Sequence, residues 1–369
     1  MEEKYLKLVL KLAKKGSGYT NPNPLVGAVI VKDEKVIGKG YHQGYGLPHA
    51  EINALREAGK KANGATLHVN LEPCCFFGKT PPCTDAIIKA GIKKIVISMK
   101  DPNPKVSGRG INQLKRAGIK IKTGILEEEA KKLNESYVKY ITQKIPFVTL
   151  KAAMSLDGKI ATRNGKSKWI TSKTARDFSH RSRFQYDGIL AGIGTVLKDN
   201  PSLDYFPPGN FKKGIKKFTK IIVDGSAKIP LSANLFRKSK VILATTKMAP
   251  INKLEKLKKK GAEILVLGKD GKVNLLWLMK ELGKRGISNL LIEGGGQVNE
   301  SALRCKIVDK ICFFIAPKII GGESAKTPVE GEGIKNLKEA ILIKGLEYQR
   351  IGEDILVEGY IKKSLELKV

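Results

Sequence analysis

The sequence predicts two α/β domains in succession, with a boundary at residues 143–146. Three observations predict this. Short apolar runs alternate with stretches of helical periodicity along the chain, the pattern of sheets layered with helices. Gln143-Lys144-Ile145-Pro146 interrupts that alternation, since Pro146 stops a charged helix before a new strand. The second half does not repeat the first, so residues 1–144 and 145–369 are read as two different α/β domains.

Residues 2–15 carry Leu6, Val9, Leu10 and Ala13 between lysines and end at Gly16, an amphipathic helix. Asn21-Pro22-Asn23-Pro24 is a rigid turn into an apolar strand at 26–31. Asp33-Glu34 turns the chain back into a second strand at 36–40. A helix at 49–61 ends before Asn63-Gly64, and a strand follows at 66–71. Cys83 opens a helix that continues through 85–90. A strand at 95–98, a helix at 110–117 and a strand at 119–123 come next, then one charged helix at 127–142. Strands alternating with helices in this way make a three-layer α/β domain.

The chemistry of this half is concentrated between His49 and Cys83, in a chain with only four His and five Cys. One His and two thiolates, His49, Cys74 and Cys83, match a zinc site that keeps its fourth position for water, whose pKa zinc lowers to roughly 7. Glu51 follows His49 at a helix start, where both side chains reach one cleft with the carboxylate beside the water. A closed structural site would need a fourth protein ligand. Cys75 is the one at hand, but adjacent residues rarely both reach one tetrahedral ion. His-x-Glu, then Pro-Cys, then Cys is the order of the zinc deaminases, in which the Glu shuttles protons. A thiolate at Cys83 also gains from the helix dipole. His42, in the loop before this motif, is equally well read as an exposed loop residue or as a substrate contact.

The second half opens with a strand at 147–153. Strands at 221–223, 241–244, 264–266 and 289–292 follow, with a helix at 274–284. Glu293-Gly294-Gly295-Gly296 leaves the last strand and opens a helix at 297–303. Glycines allow close backbone approach, and free N–H groups at a helix start bind phosphate. A tight strand-to-helix turn explains the run equally well. It is not a dinucleotide fingerprint, because Gly-x-Gly-x-x-Gly fails at Asn299.

Composition bounds the rest. At 369 residues, 41% of them apolar, the chain supports two cores. The net charge of +33 would suit nucleic acid, but the lysines are scattered, aromatics are 6%, and no basic run is interleaved with stacking residues. A lysine-rich solvated surface with affinity for anionic ligands is the better reading. Five Cys in this length make no disulfide framework. Cys305 and Cys312 stand in apolar surroundings and read as core. With no signal-peptide pattern and no run of ~18 apolar residues, a reducing cytoplasm is expected.

Several stretches resemble the bifunctional riboflavin-biosynthesis deaminase/reductase family. In the first half these are Gly64-Ala65-Thr66, Leu71-Glu72-Pro73-Cys74, Gly78-Lys79-Thr80-Pro81-Pro82-Cys83, Asp101-Pro102-Asn103-Pro104 and Gly108-Arg109-Gly110-Ile111. In the second they are Leu150-Lys151, Ser155-Leu156-Asp157-Gly158-Lys159, Trp169-Ile170-Thr171, Gly192-x-Gly194-Thr195-Val196, Asp199-Asn200-Pro201 and Pro317…Gly321-Gly322. The resemblance spans about Tyr5 to Glu358. It implies a cytidine-deaminase-like first domain and a dihydrofolate-reductase-like second domain that uses NADPH.

The implied substrate is 2,5-diamino-6-ribosylamino-4(3H)-pyrimidinone 5′-phosphate, deaminated in the first domain and then reduced from ribosyl to ribityl in the second. Asn23, His42 and Lys79 are implied to meet it in the deaminase. Ala153, Trp169, Thr195, Asp199, Ser226, Gly295, Gly296, Gln297, Val298, Asn299, Glu300 and Ser301 are implied to line the NADPH groove. Ser167, Arg183, Leu203 and Glu293 are implied to face the ribose phosphate, which a guanidinium grips bidentately. Lys151 and Asp199 are candidate proton donors, with a salt-bridge role equally open for either. Two positions depart from the family: Cys75-Phe76 where Ser-His is usual, and Asp204-Tyr205-Phe206 where an Arg is usual. Homo-oligomers are expected by the same resemblance. Two rival readings remain: a tRNA base deaminase held by the positive charge, and a zinc-stabilised binding module without turnover.

Overall fold

The structure, a computed structural model, describes residues 2–204, 218–237 and 239–362. The second departure named above, at Phe206, lies outside the described residues. The chain divides into two compact units, Met1–Lys144 and Ile145–Val369.

The first unit is built on a five-stranded sheet of β1 (Gly27–Lys32), β2 (Lys35–Tyr41), β3 (Thr66–Leu71), β4 (Lys94–Met99) and β5 (Lys120–Thr123). Its order is β2-β1-β3-β4-β5. β1 runs antiparallel to both neighbours, and β3, β4 and β5 run parallel. The β1–β2 turn is the two-residue one the sequence suggested. Asp33 and Glu34 both have positive φ, the conformation that matches the twist of a hairpin. The helices are α1 (Glu2–Ala13), α2 (Ala50–Ala58), α3 (Cys83–Lys89), α4 (Arg109–Arg116), α5 (Glu127–Leu133) and α6 (Glu135–Gln143). α1 buries Tyr5, Leu6, Val9 and Leu12 against Val29, Val31 and Val96. α2 lies on β2 so closely that a Cβ on Gly40 would stand 2.4 Å from the Ala50 carbonyl.

The charged helix expected over 127–142 is two helices. Asn134 interrupts it, buried, with Oδ1 accepting from the Leu25 backbone N–H at 2.7 Å and Nδ2 donating to the Leu25 carbonyl at 3.1 Å. Satisfying that strand-entry peptide replaces the helix geometry at Asn134.

Among its described residues the second unit carries nine strands: β6 (Phe147–Ser155), β7 (Gly188–Gly192), β8 (Thr219–Val223), β9 (Lys240–Thr245), β10 (Ala262–Val266), β11 (Asn289–Ile292), β12 (Lys310–Ala316), β13 (Ile343–Ile351) and β14 (Asp354–Ile361). Their order is β10-β9-β8-β7-β11-β6-β12-β14-β13. Pairing is parallel from β10 to β12, and β14 and β13 add antiparallel. The helices are α7 (Lys173–Ser182), α8 (Ile193–Asp199), α9 (Ile251–Lys259), α10 (Leu275–Lys284) and α11 (Gly296–Arg304). Leu190, Ile221, Ile242 and Leu290 pack with Leu278 and Leu282 of α10. Alternate residues Ile189, Ile222 and Leu243 pack with Leu257 of α9. Coverage of both faces explains why these strands read as continuous apolar runs.

Candidate functional site

In the first unit, β3 delivers the Pro73-Cys74 segment, α2 delivers His49 and Glu51, and α3 delivers Cys83. His49 occupies the residue before α2 in extended conformation, without capping the helix, so its ring is free to face the sulfurs. Its Nδ1 stands 3.3 Å from Cys83 Sγ and 3.5 Å from Cys74 Sγ, while Nε2 stands 3.4 Å from Thr80 Oγ1. The three donor atoms lie within 4.8 Å of one another. Tetrahedral zinc places such donors roughly 3.4–3.8 Å apart, so one N and two S atoms at these separations fit the ion. Cys75 stays out of the group, with its Sγ 4.0 Å from the Lys105 carbonyl.

The electrostatics follow from burial and proximity. Within the sulfur pair the Cys74 thiol falls to about 5, chiefly through its hydrogen bond with Cys83 and further through His49, against the effect of burial. The Cys83 thiol moves upward through that same bond and its burial. His49 is raised, first by its bond with Cys74. Glu51 is 3% exposed, and burial, then Cys74, lifts its carboxyl to about 6. A carboxyl held there can both take and give a proton near neutral pH.

The expected substrate contacts of this unit fall beside the triad. The His42 ring lies edge-on to His49, with centroids 5.2 Å apart. His42 Nδ1 faces the Pro48 carbonyl at 3.2 Å, so it carries the proton and leaves Nε2 to accept from Asn23 Nδ2 at 3.1 Å. Burial lowers the His42 pKa and keeps that neutral form. Lys79 Nζ sits 4.0 Å from the Tyr45 ring centroid, joining the 42–48 and 76–82 loops. Phe76, at the first departure from the family pattern, has Lys105 Nζ 5.9 Å from its ring centroid.

In the second unit the expected residues gather around the carboxyl ends of the parallel strands, where such sheets bind ligands. Thr195 lies in the first turn of α8 after β7, Ser226 follows β8, and Gly295 follows β11. A Cβ on Gly295 would lie 3.8 Å from Thr195 Oγ1. Ser167 Oγ donates to Asp199 Oδ1 at 3.4 Å. Trp169 is exposed, with the Arg176 guanidinium 4.2 Å from its ring centroid. Ala153 packs near Phe314.

Along α11 the expected groove residues are not equivalent. Val298 packs against Gly192, and Asn299 is buried, with Nδ2 donating to the Pro328 carbonyl at 2.8 Å. Ser301 Oγ donates to the Gln297 carbonyl, and Glu300 pairs with Arg304. A Cβ on Gly296 would meet Glu330 Cγ at 2.4 Å.

On the ribose phosphate side, two of the expected residues already have partners within the fold. The Arg183 fork is bidentate to Glu293, Nε to Oε1 at 2.9 Å and Nη2 to Oε2 at 2.8 Å, and Nη1 donates to the Asp204 carbonyl. In this structure the guanidinium grips a carboxylate of its own chain. Leu203 places its side chain in the core, leaving only its main chain for a ligand.

Comparisons with known proteins settle the family. A profile described as the cytidine and deoxycytidylate deaminase zinc-binding region matches residues 1–99, and one described as the RibD C-terminal domain matches residues 146–357. The riboflavin biosynthesis protein RibD of Aquifex aeolicus is 44% identical, covering 97% of this chain and 98% of its own. That of Escherichia coli is 37% identical, covering 96% and 98%.

The chain belongs to the RibD family.

Solved structures agree. Acinetobacter baumannii RibD aligns with a TM-score of 0.88 at 34% identity, over 98% of each chain. A deaminase/reductase from Thermotoga maritima aligns with a TM-score of 0.82 at 38% identity, over 98% of this chain and 99% of its own. The fold class is thus cytidine-deaminase-like followed by dihydrofolate-reductase-like. In the RibD family the deaminase half carries zinc and the reductase half uses NADPH.

Three residues near these sites were not assigned roles from sequence. Glu72 accepts from the Asp101, Gly108 and Ile111 N–H groups, Gln113 bonds Thr84 and Asp85, and Lys220, fully buried, donates to the Leu235 carbonyl and pairs with Asp204 at 2.8 Å. Their partners are remote in sequence, and no local motif marks them.

Proposed function

We propose that the first unit deaminates 2,5-diamino-6-ribosylamino-4(3H)-pyrimidinone 5′-phosphate and that the second unit reduces the product's ribosyl group to ribityl with NADPH, as a step of riboflavin biosynthesis. The carrying observation is the His49, Cys74 and Cys83 cluster with buried Glu51 beside it, in a chain matching RibD from end to end. Zinc held by the three donors supplies the Lewis acidity that makes water a nucleophile near neutral pH. Glu51 takes the proton of the attacking water and delivers it to the leaving amine, so ammonia departs and the ring carbon gains oxygen. Asn23, His42 and Lys79 hold the substrate, with neutral His42 oriented by Pro48 and Asn23.

NADPH, when bound, supplies the hydride of the second reaction. Thr195, Ser226 and the α11 start form the cofactor groove, and Trp169 and Asp199 flank it. Lys151 stands opposite Glu293, because Leu150 within β6 pairs with Ile292, the last residue of β11. The Arg183–Glu293 pair therefore fixes a charged site around Lys151. Lys151 is the proton donor in this reading, since Asp199 is engaged with Ser167.

Glu51→Gln tests the division of labour. The variant releases no ammonia from the diamino substrate, yet oxidises NADPH at the wild-type rate when given the deaminated compound. Full ammonia release from Glu51→Gln would overturn the reading.

No helix among the described residues is long and apolar enough to cross a membrane, and a cytoplasmic location with small-molecule substrates and no nucleic acid completes the proposal. Homo-oligomers form through β13, which ends the sheet among the described residues and exposes Leu346 and Tyr348. Such an edge invites pairing with a second copy. Leu346→Lys with Tyr348→Lys then yields monomers in sedimentation, and an unchanged assembly would reject this interface.

A further inference from the structure

The two cysteines of the metal cluster come from different elements, and one helix touches both of their segments. Cys74 is preceded by Glu72, whose buried carboxylate accepts three backbone N–H groups. Oε2 accepts from Asp101 at 3.2 Å and Gly108 at 3.0 Å, and Oε1 accepts from Ile111 at 3.0 Å. Gly108 is the residue before α4, and Ile111 lies in its first turn. Glu72 therefore caps α4 from another strand. The contact is tight, since a Cβ on Gly110 would stand 2.3 Å from the Pro73 carbonyl.

Cys83 is followed by Thr84 and Asp85, and both reach the same helix. Thr84 Oγ1 donates to Gln113 Oε1 at 3.0 Å, and Gln113 Nε2 donates to Asp85 Oδ1 at 2.8 Å. The loop closes directly as well. The Thr84 backbone N–H donates to the Cys74 carbonyl at 3.2 Å, and the Cys83 N–H points at Cys74 Sγ at 3.4 Å. Thr84 is fully buried, so its hydroxyl has no water to replace Gln113.

We propose that α4 is a splint for the metal site, with Glu72, Thr84 and Gln113 as positioning residues that set the separation of the two sulfurs. This rests on the reading of His49, Cys74 and Cys83 as zinc ligands. None of the three positioning residues touches the metal donors through its side chain. Their effect reaches the ion through the backbone on which the cysteines sit, as supporting hydrogen bonds do in other metal sites.

The test is zinc affinity in the full chain, by competition with a chromophoric chelator, together with the sulfur-to-metal absorption of the cobalt-substituted protein. Thr84→Val removes the hydroxyl at nearly constant volume, and Thr84→Ser restores it. Gln113→Ala removes the bridge from the helix side. Thr84→Val and Gln113→Ala weaken zinc binding about ten-fold and shift the cobalt band. Thr84→Ser returns both readouts to wild type, which a general loss of folding would not allow. Zinc affinity and cobalt spectra equal to wild type in both Thr84→Val and Gln113→Ala would overturn the splint while leaving the metal site intact. Wild-type affinity no higher than that of His49→Ala would overturn the metal reading and the splint with it.

Discussion

Glu293 is buried against two cations, and its acid behaviour follows from that. Burial alone would raise its carboxyl, but Arg183 and then Lys151 overcome it and hold the group at about 2. A carboxyl held below its unfolded value of roughly 4.3 adds stability that is complete above that pH and is lost as pH falls through the folded value. The wild-type second unit therefore loses melting temperature as pH drops from about 5 toward 3. Glu293→Gln is less stable near neutral pH by about 3–5 kcal/mol, because Arg183 is left buried without its partner. Its melting temperature changes less over the same acid window. Parallel slopes for the two proteins would contradict the assignment.

The sequence made some residues legible and hid others for a physical reason. The gathering of His49, Cys74 and Cys83, with buried Glu51 near them, could be read in advance because a metal-ligand set of this kind requires particular residue types in a recognisable order. Arg183 was expected on a substrate phosphate from the family resemblance, and nothing local reveals that Glu293, 110 residues away in sequence, is its partner in the fold. Glu72 stood in a quoted motif, yet its role depends on N–H groups brought to it by the fold.

Elements of the first unit carry the site as rigid parts. α2 holds His49 and Glu51, and it can sit low on β2 only because Gly38 and Gly40 present no side chain. A methyl at Gly40 would also come within 2.6 Å of the Ala54 N. Gly40→Ala must push α2 outward, destabilising the first unit by about 1–3 kcal/mol. It lowers deamination and leaves reduction of the deaminated compound unchanged. Thermal unfolding and the two separate rates check this, and equal loss of both activities would contradict it. The same element-level packing explains where periodicity misled. The helical pattern runs unbroken across Asn134, but the Leu25 peptide needs that amide, and a tertiary demand outweighed local propensity. In the second unit, β7, α7, α8, α9 and β12–β14 were not delineated from sequence. β13 shows little alternation in burial, so the period-two signal of a strand facing a core is absent.

At the scale of the molecule, one chain combines a unit built for proton and metal chemistry with a unit built for hydride transfer. The boundary was expected at Pro146, which stops a helix where a new strand begins; the chain divides into two compact units at Lys144/Ile145, and their sheets differ in size and strand order. The net charge of +33 is carried largely by scattered lysines and suits anionic phosphorylated ligands. The central claim is that both reactions occur on this chain, deamination first. The most direct test supplies zinc-loaded protein with the diamino-pyrimidine ribosyl phosphate and NADPH, following ammonia and NADPH absorbance together. Ammonia release with NADPH loss that depends on prior deamination is the predicted result. NADPH oxidation with no ammonia released, or neither signal, would contradict it.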